Sequence, residues 1–184
     1  MATAKTSSFW LTEAMDLTAL GTVEQSTIDL GAYVDVGDQQ AVAIEQVDFI
    51  YMHHDLVPNQ YSYNLAAISA ADFTTSVQLT DLNPGQVIVR ADDRSLVAGG
   101  ALMFDDSNNT SSMGADLYPD EFGPKLSDAR IVVNDQLYLN AAQSITGPAP
   151  NQAQTVIVRI KAKIVKLSTK DWMAIAIQST AADN

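Results

Sequence analysis

The sequence predicts an all-β protein, on three observations. Apolar residues recur at every second position in most segments, Gly, Pro, Asn and Asp punctuate those segments, and little of the chain carries a helical spacing. With 184 residues, 47% of them hydrophobic and 17% charged, the chain suits one domain with a substantial core and lies far from the composition of disordered segments.

Taken in order, residues 1–20 are expected to form a short N-terminal arm, and residues 21–184 a single domain. Phe9 to Leu20 suits either a short helix capped by Ser8 or an arm packed by Trp10. From Thr27 to Gly37, Ile28, Leu30, Ala32, Val34 and Val36 alternate with mostly polar residues, as in a strand with one buried face. After Gly37-Asp38 a second strand runs from Ala41 to His53. Its apolar parity shifts between Ile44 and Val47, which predicts a β-bulge or bend. Tyr61 to Ile68, Thr74 to Thr80 and Gln86 to Asp92 read as short strands, the last two parted by Asn83-Pro84-Gly85. Leu96 to Phe104 reads as a strand bent at Gly99-Gly100. Residues 105–128 are polar enough to form a long loop, and Arg130 to Ala141 returns to strand pattern. Gly147-Pro148-Ala149-Pro150 then separates it from the longest β run, Thr155 to Leu167. For Trp172 to Gln178, Ser168 with Asp171 speaks for a capped helix, whereas the alternation of Met173, Ile175 and Ile177 speaks for a strand, and the strand is preferred. Eight or nine strands imply a sandwich or barrel. Eight favours an antiparallel jelly-roll sandwich.

Several chemistries lack their residues. The chain has no cysteine, so disulfides, thiolate metal sites and Cys nucleophiles are excluded. The first residues lack the apolar run of a secretory signal, and no segment approaches the length of a membrane span, so a cytoplasmically made product is expected. Glycine-rich phosphate loops and the nucleophile elbow of hydrolases do not occur. His53-His54 is the only histidine pair, and neighbours in a strand point to opposite faces, so a shared metal is not expected. Asp106-Ser107-Asn108-Asn109-Thr110 offers oxygen donors for a cation but lacks the glycine and glutamate of a calcium loop. No cofactor, metal, small-molecule substrate or catalytic residue is predicted.

The distribution of charge is more informative. The net charge is −12, yet residues 155–184 hold five bases and two acids, whereas residues 1–154 hold five bases and 20 acids. Within Thr155 to Leu167, Val156, Val158, Ile160, Ala162 and Ile164 share one face, while Arg159, Lys161 and Lys163 share the other. This cationic stripe suits an acidic neighbouring subunit, anionic lipid headgroups or nucleic acid. Equally, it suits an ordinary solvated face or a guard against edge-to-edge pairing. Only Trp172 lies near it in sequence as an aromatic, which argues against a single-stranded nucleic-acid platform.

A mostly β, acidic, cysteine-free chain that closes on strand, turn, strand from Thr155 to Gln178 resembles the single jelly-roll capsid proteins of tailless icosahedral viruses of archaea and bacteria. The likeness is one of strand count and spacing over residues 20–180. It implies two four-stranded sheets and a non-enzymatic major capsid protein that self-assembles into an icosahedral shell in the host cytoplasm and resides in the virion. Its implied partners are copies of itself and other capsid proteins, with an anionic membrane or the genome on the inner side. It also implies that Arg159, Lys161 and Lys163 meet acidic neighbours, that Trp10 ties the arm to them, and that residues 105–128 lie at a capsomer surface. Two other readings stay open. A carbohydrate-binding β-sandwich module would show exposed coplanar aromatics on one face, and a cupin-like enzyme would need clustered metal ligands.

Overall fold

In the computed structural model the described residues are 2–18, 21–69, 71–108, 110–118, 122–123, 125–144 and 151–180. The strands are β1 (Thr3–Ala4), β2 (Phe9–Leu17), β3 (Val23–Asp29), β4 (Gln40–Asp55), β5 (Gln60–Ser62), β6 (Phe73–Thr80), β7 (Leu96–Asp105), β8 (Thr110–Tyr118), β9 (Arg130–Val132), β10 (Gln136–Gln143) and β11 (Gln152–Lys166). One helix follows, α1 (Thr169–Thr180).

In the first sheet β11 is central. It pairs with β1 and β2 along one side and with β4 along the other, and β4 carries β5 and β9 on its far side. The second sheet runs β3-β10-β6-β7-β8, and every pairing in both sheets is antiparallel. Leaving aside the short β1 and β5 and the edge strand β8, eight strands remain. Numbered first to eighth along the chain, they order as first, eighth, third, sixth in one sheet and second, seventh, fourth, fifth in the other. Every connection between consecutive members crosses from sheet to sheet, except the β6–β7 hairpin. This is the eight-stranded jelly-roll sandwich, two antiparallel layers around one core.

The core fills the space between the layers. Val42, Ile44, Val47, Val156, Val158 and Ile160 face it from the first sheet, and Phe73, Val77, Leu79, Leu102, Leu137 and Leu139 from the second. Gly100 on β7 packs closely against side chains of the first sheet. A Cβ there would lie 3.3 Å from both the Phe49 ring and the Tyr51 hydroxyl, tighter than ordinary contact. Close approach thus gives one reason for glycine, and the expected irregularity is present too, since the register of β7 against β8 shifts between Gly99 and Ala101. A buried polar bridge also joins the layers, where Thr75 and Gln143 donate to Gln154 Oε1 at 2.5 and 2.8 Å.

The bulge predicted between Ile44 and Val47 is present. Along β11 the partner of Lys161 is Gln46 and that of Ala162 is Ile44, so Glu45 is the extra residue and both apolar neighbours still point inward. Elsewhere local chemistry redirects the chain. The first expected strand starts earlier, at Val23, and stops at Asp29, whose carboxylate accepts the Gly31 N–H at 2.7 Å. Of the stretch Tyr61 to Ile68 only Tyr61 and Ser62 pair, as part of β5, before a turn of 3-10 helix at Leu65–Ala67. Gln86 to Asp92 is not a strand. The Gln78 carboxamide takes both main-chain bonds of Val89 at 2.8 Å and holds that segment beside the sheet without a ladder. Arg130 to Ala141 breaks at Asn134-Asp135, leaving β9 in one sheet and β10 in the other.

Three corrections bear on function. Residues 105–128 are not one long loop, since Thr110–Tyr118 forms β8 on the edge of the second sheet. Thr110, Ser111 and Ser112 are exposed there, so nothing demands apolar side chains at those three positions. The stretch Trp172 to Gln178 is helical, not a strand. The Ser168 hydroxyl accepts the Asp171 N–H at 3.2 Å, and Trp172, Ile175 and Ala176, spaced i, i+3, i+4, pack on Ala41, Ala43, Val165 and Leu167. The N-terminal segment contains no helix among its described residues and lies in strands β1 and β2 along β11. The expected turn at 147–150 lies outside the described residues.

Candidate interaction face

Cross-strand register lays out the solvent side of the first sheet in rows. Across β2, β11 and β4 they are Trp10, Lys161, Gln46; then Thr12, Arg159, Asp48; then Ala14, Ile157, Ile50; then Asp16, Thr155, Met52. One step further, His54 stands beside Tyr61 of β5. Directly opposed residues share a face, so each row presents its side chains together. The face therefore carries Arg159 and Lys161 at one end, with Asp48 beside Arg159, an apolar middle, and Asp16 with His54 and Tyr61 at the other end.

One step beyond Lys161 along β11, the Glu45 bulge meets Lys163. Lys163 Nζ donates to Glu45 Oε1 at 2.6 Å, and the Ser8 hydroxyl donates to Oε2 at 2.7 Å. The two charged side chains are only 12% and 6% exposed. Burial pushes the Glu45 carboxyl up, but the bonds from Lys163 and Ser8 and the charges of Lys163 and Lys161 outweigh it, so the group titrates below its ordinary value. Lys163 thus belongs to an internal ion pair. Arg159 differs, being exposed, with its guanidinium 4.6 Å from the centroid of the Trp10 ring, a cation–π arrangement across β11 and β2. Trp10 itself is 44% exposed. The structure therefore brings together Arg159, Lys161 and Trp10, and directs Lys163 elsewhere. It also removes the edge-guard reading of the stripe, because β11 is paired on both sides.

At the other end the Asp16 carboxylate is held from two sides. Thr155 Oγ1 donates to Oδ1 at 2.5 Å, and His54 Nδ1 bonds Oδ2 at 3.0 Å. His54 Nε2 meets Asn59 Oδ1 at 2.9 Å, and the Tyr61 ring stacks on the imidazole at 4.2 Å. Thr155 and His54 are buried, whereas the Asp16 side chain remains 34% exposed. Ala14, Met52, Ile157 and Tyr61 complete a recess of about 440 Å³ around Asp16 and Thr155. None of these residues other than His54 carried a recognisable signal in the sequence, because register alone unites them.

His53 points to the opposite side from His54 and bonds Ser62 at 3.1 Å and Gln152. Beside His54 it is the Asp16 carboxylate, not the imidazole, that receives the Thr155 hydroxyl. Asp105 accepts the backbone N–H and the carboxamide of Asn108, which close its turn. Among the described residues no group of three or more His, Asp or Glu is placed to hold a metal ion, and no helix is long and apolar enough to cross a membrane.

No protein-family model matches the chain, and no curated protein matches it. Among solved structures it is similar to one from Desmodium yellow mottle tymovirus, at 10% identity and a TM-score of 0.30 over 88% of this chain and 90% of that one. A second, from turnip yellow mosaic virus, matches at 13% identity and a TM-score of 0.29 over 88% and 93%.

Proposed function

We propose that the chain is a structural subunit of a viral capsid, a non-enzymatic protein that self-assembles into an icosahedral shell. The observation that carries this reading is the jelly-roll strand order, joined to a sheet face with Arg159 and Lys161 at one end, an apolar middle and Asp16 at the other. The likeness of the sequence to single jelly-roll capsid proteins of tailless icosahedral viruses of archaea and bacteria points the same way. Exposed apolar side chains at both ends of the sandwich support it further. Leu56, Val57 and Tyr63 follow β4 at one end, and Val36, Val87 and Ile88 lie in the β3–β4 and β6–β7 connections at the other. Copies of the chain are the partners in this reading, and the virion is its location. Electron microscopy of the purified protein tests it, with closed regular particles as the expected result and a species that stays monomeric at every concentration as the contrary one.

A second reading has one observation in its favour. Tyr61 and Tyr63 are 52% and 75% exposed and stand two residues apart, as a small platform for the apolar face of a sugar would. Calorimetric titration with a panel of free oligosaccharides separates the two. Saturable heat from a monomer selects a carbohydrate-binding module.

A further inference from the structure

We infer that the outer face of the first sheet binds a second copy of this chain about a two-fold axis lying in the interface and crossing β11 at Ile157. This deepens the self-assembly reading by naming the surface, and it rests on that reading. An isologous contact needs a patch that complements itself when turned through a half-rotation. The rows supply one. Ala14, Ile157 and Ile50 form an apolar centre, the Arg159 row lies one step to one side, and the Asp16 row lies one step to the other.

Rotation about an axis across the strands reverses the order of rows and keeps the columns. Arg159 of one copy then stands over the Thr155 and Asp16 row of its neighbour, and the Trp10 and Lys161 row stands over the His54 and Tyr61 row. Each charged contact occurs twice. Two sheets packed face to face lie roughly 10 Å apart, a gap that the side chains of Arg159 and Asp16 can bridge from opposite sides. Asp16 is preorganised for a cation, because Thr155 and the buried His54 fix its carboxylate while leaving it partly exposed. The Arg159 guanidinium rests on the Trp10 ring, which limits its freedom and lowers the entropy lost when it docks. Helix α1 rises from the β11 C-terminal end of this face with Met173 exposed, and the same rotation sets it beside the neighbour's Leu56 and Val57 beyond the end of β4.

The test is a complementation between two charge reversals, Arg159→Glu and Asp16→Lys, measured by sedimentation velocity and light scattering on the full chain. Each variant alone sets like charges against each other at both contacts, so its self-association is expected to weaken by at least about tenfold. Mixing the two sets the new carboxylate of one variant against the new ammonium of the other and leaves a native Asp16 to Arg159 contact across the axis, so the mixture is expected to recover association. A loss caused by local misfolding gives no recovery. If Asp16→Lys melts early, Asp16→Asn serves instead, and it is expected to bind the Arg159→Glu variant more tightly than that variant binds itself. Particles that form unchanged from Arg159→Glu would overturn the face while leaving the shell reading intact. A wild-type chain that stops at a salt-sensitive dimer would support the face and sink the shell, and a chain that never self-associates would sink both.

Discussion

Arg159 and Lys163 stand on the same side of one strand, four residues apart, and face opposite tasks. At Lys163 the bulge of β4 turns Glu45 toward the lysine, α1 covers the neighbouring alanines, and a buried ion pair forms inside the molecule. At Arg159 no bulge intervenes and no helix lies above, so the guanidinium rests on Trp10 and meets solvent. A stripe of like charge on a strand is therefore not one functional unit. What each member does is set by the register of the strands beside it.

Breaking the internal pair should have the largest effect. Lys163→Ala leaves Glu45 buried without its cation and is expected to cost about 3 kcal/mol of stability, read from the denaturant midpoint, whereas Arg159→Ala should cost under about 1 kcal/mol. Replacing both partners, Lys163→Met with Glu45→Leu, should recover most of the loss, because no unpaired charge then remains. A chain in which Lys163→Ala and Arg159→Ala cost the same would erase the contrast.

Acid titration sharpens the comparison. Glu45 titrates below its ordinary value of 4.5 in the folded protein, so its contribution is complete above that value and is lost as pH falls through the lower folded one. Wild type should accordingly lose more stability than Glu45→Gln between neutral pH and the acid side of that window, as followed by thermal melts. Arg159→Ala should keep the wild-type acid profile.

The register argument also explains which features the sequence disclosed. The strands of the core, the β4 bulge and the opposed directions of His53 and His54 were legible, because each follows from the alternation of neighbours along the chain. Helix α1 was not. Met173, Ile175 and Ile177 fit a period of two as well as Trp172, Ile175 and Ala176 fit a helix, and only the outer-face apolar residues Ala41, Ala43 and Val165 decide between them. Strand β8 was hidden by its Ser and Thr content, and Gln86 to Asp92 imitated a strand whose backbone is satisfied by the Gln78 side chain instead. The candidate face was half legible. The bases were visible as a stripe, but their separation from Asp16 and the seating of Arg159 on Trp10 depend on pairing residues more than a hundred positions apart.

A smaller effect probes that seating. Arg159→Ala removes the cation from the Trp10 ring and should shift the tryptophan emission, with about 0.5–1 kcal/mol or less lost in stability. Measuring wild type and Arg159→Ala both in a Trp172→Phe background makes the emission report Trp10 alone.

The central claim, that this sandwich exists to join copies of itself, is tested most directly by the mass of the purified wild-type chain in solution across a wide concentration series. Discrete assemblies many times the 19.8 kDa of one chain, dissociating as salt rises, are the predicted result. A single 19.8 kDa species throughout the series would contradict it.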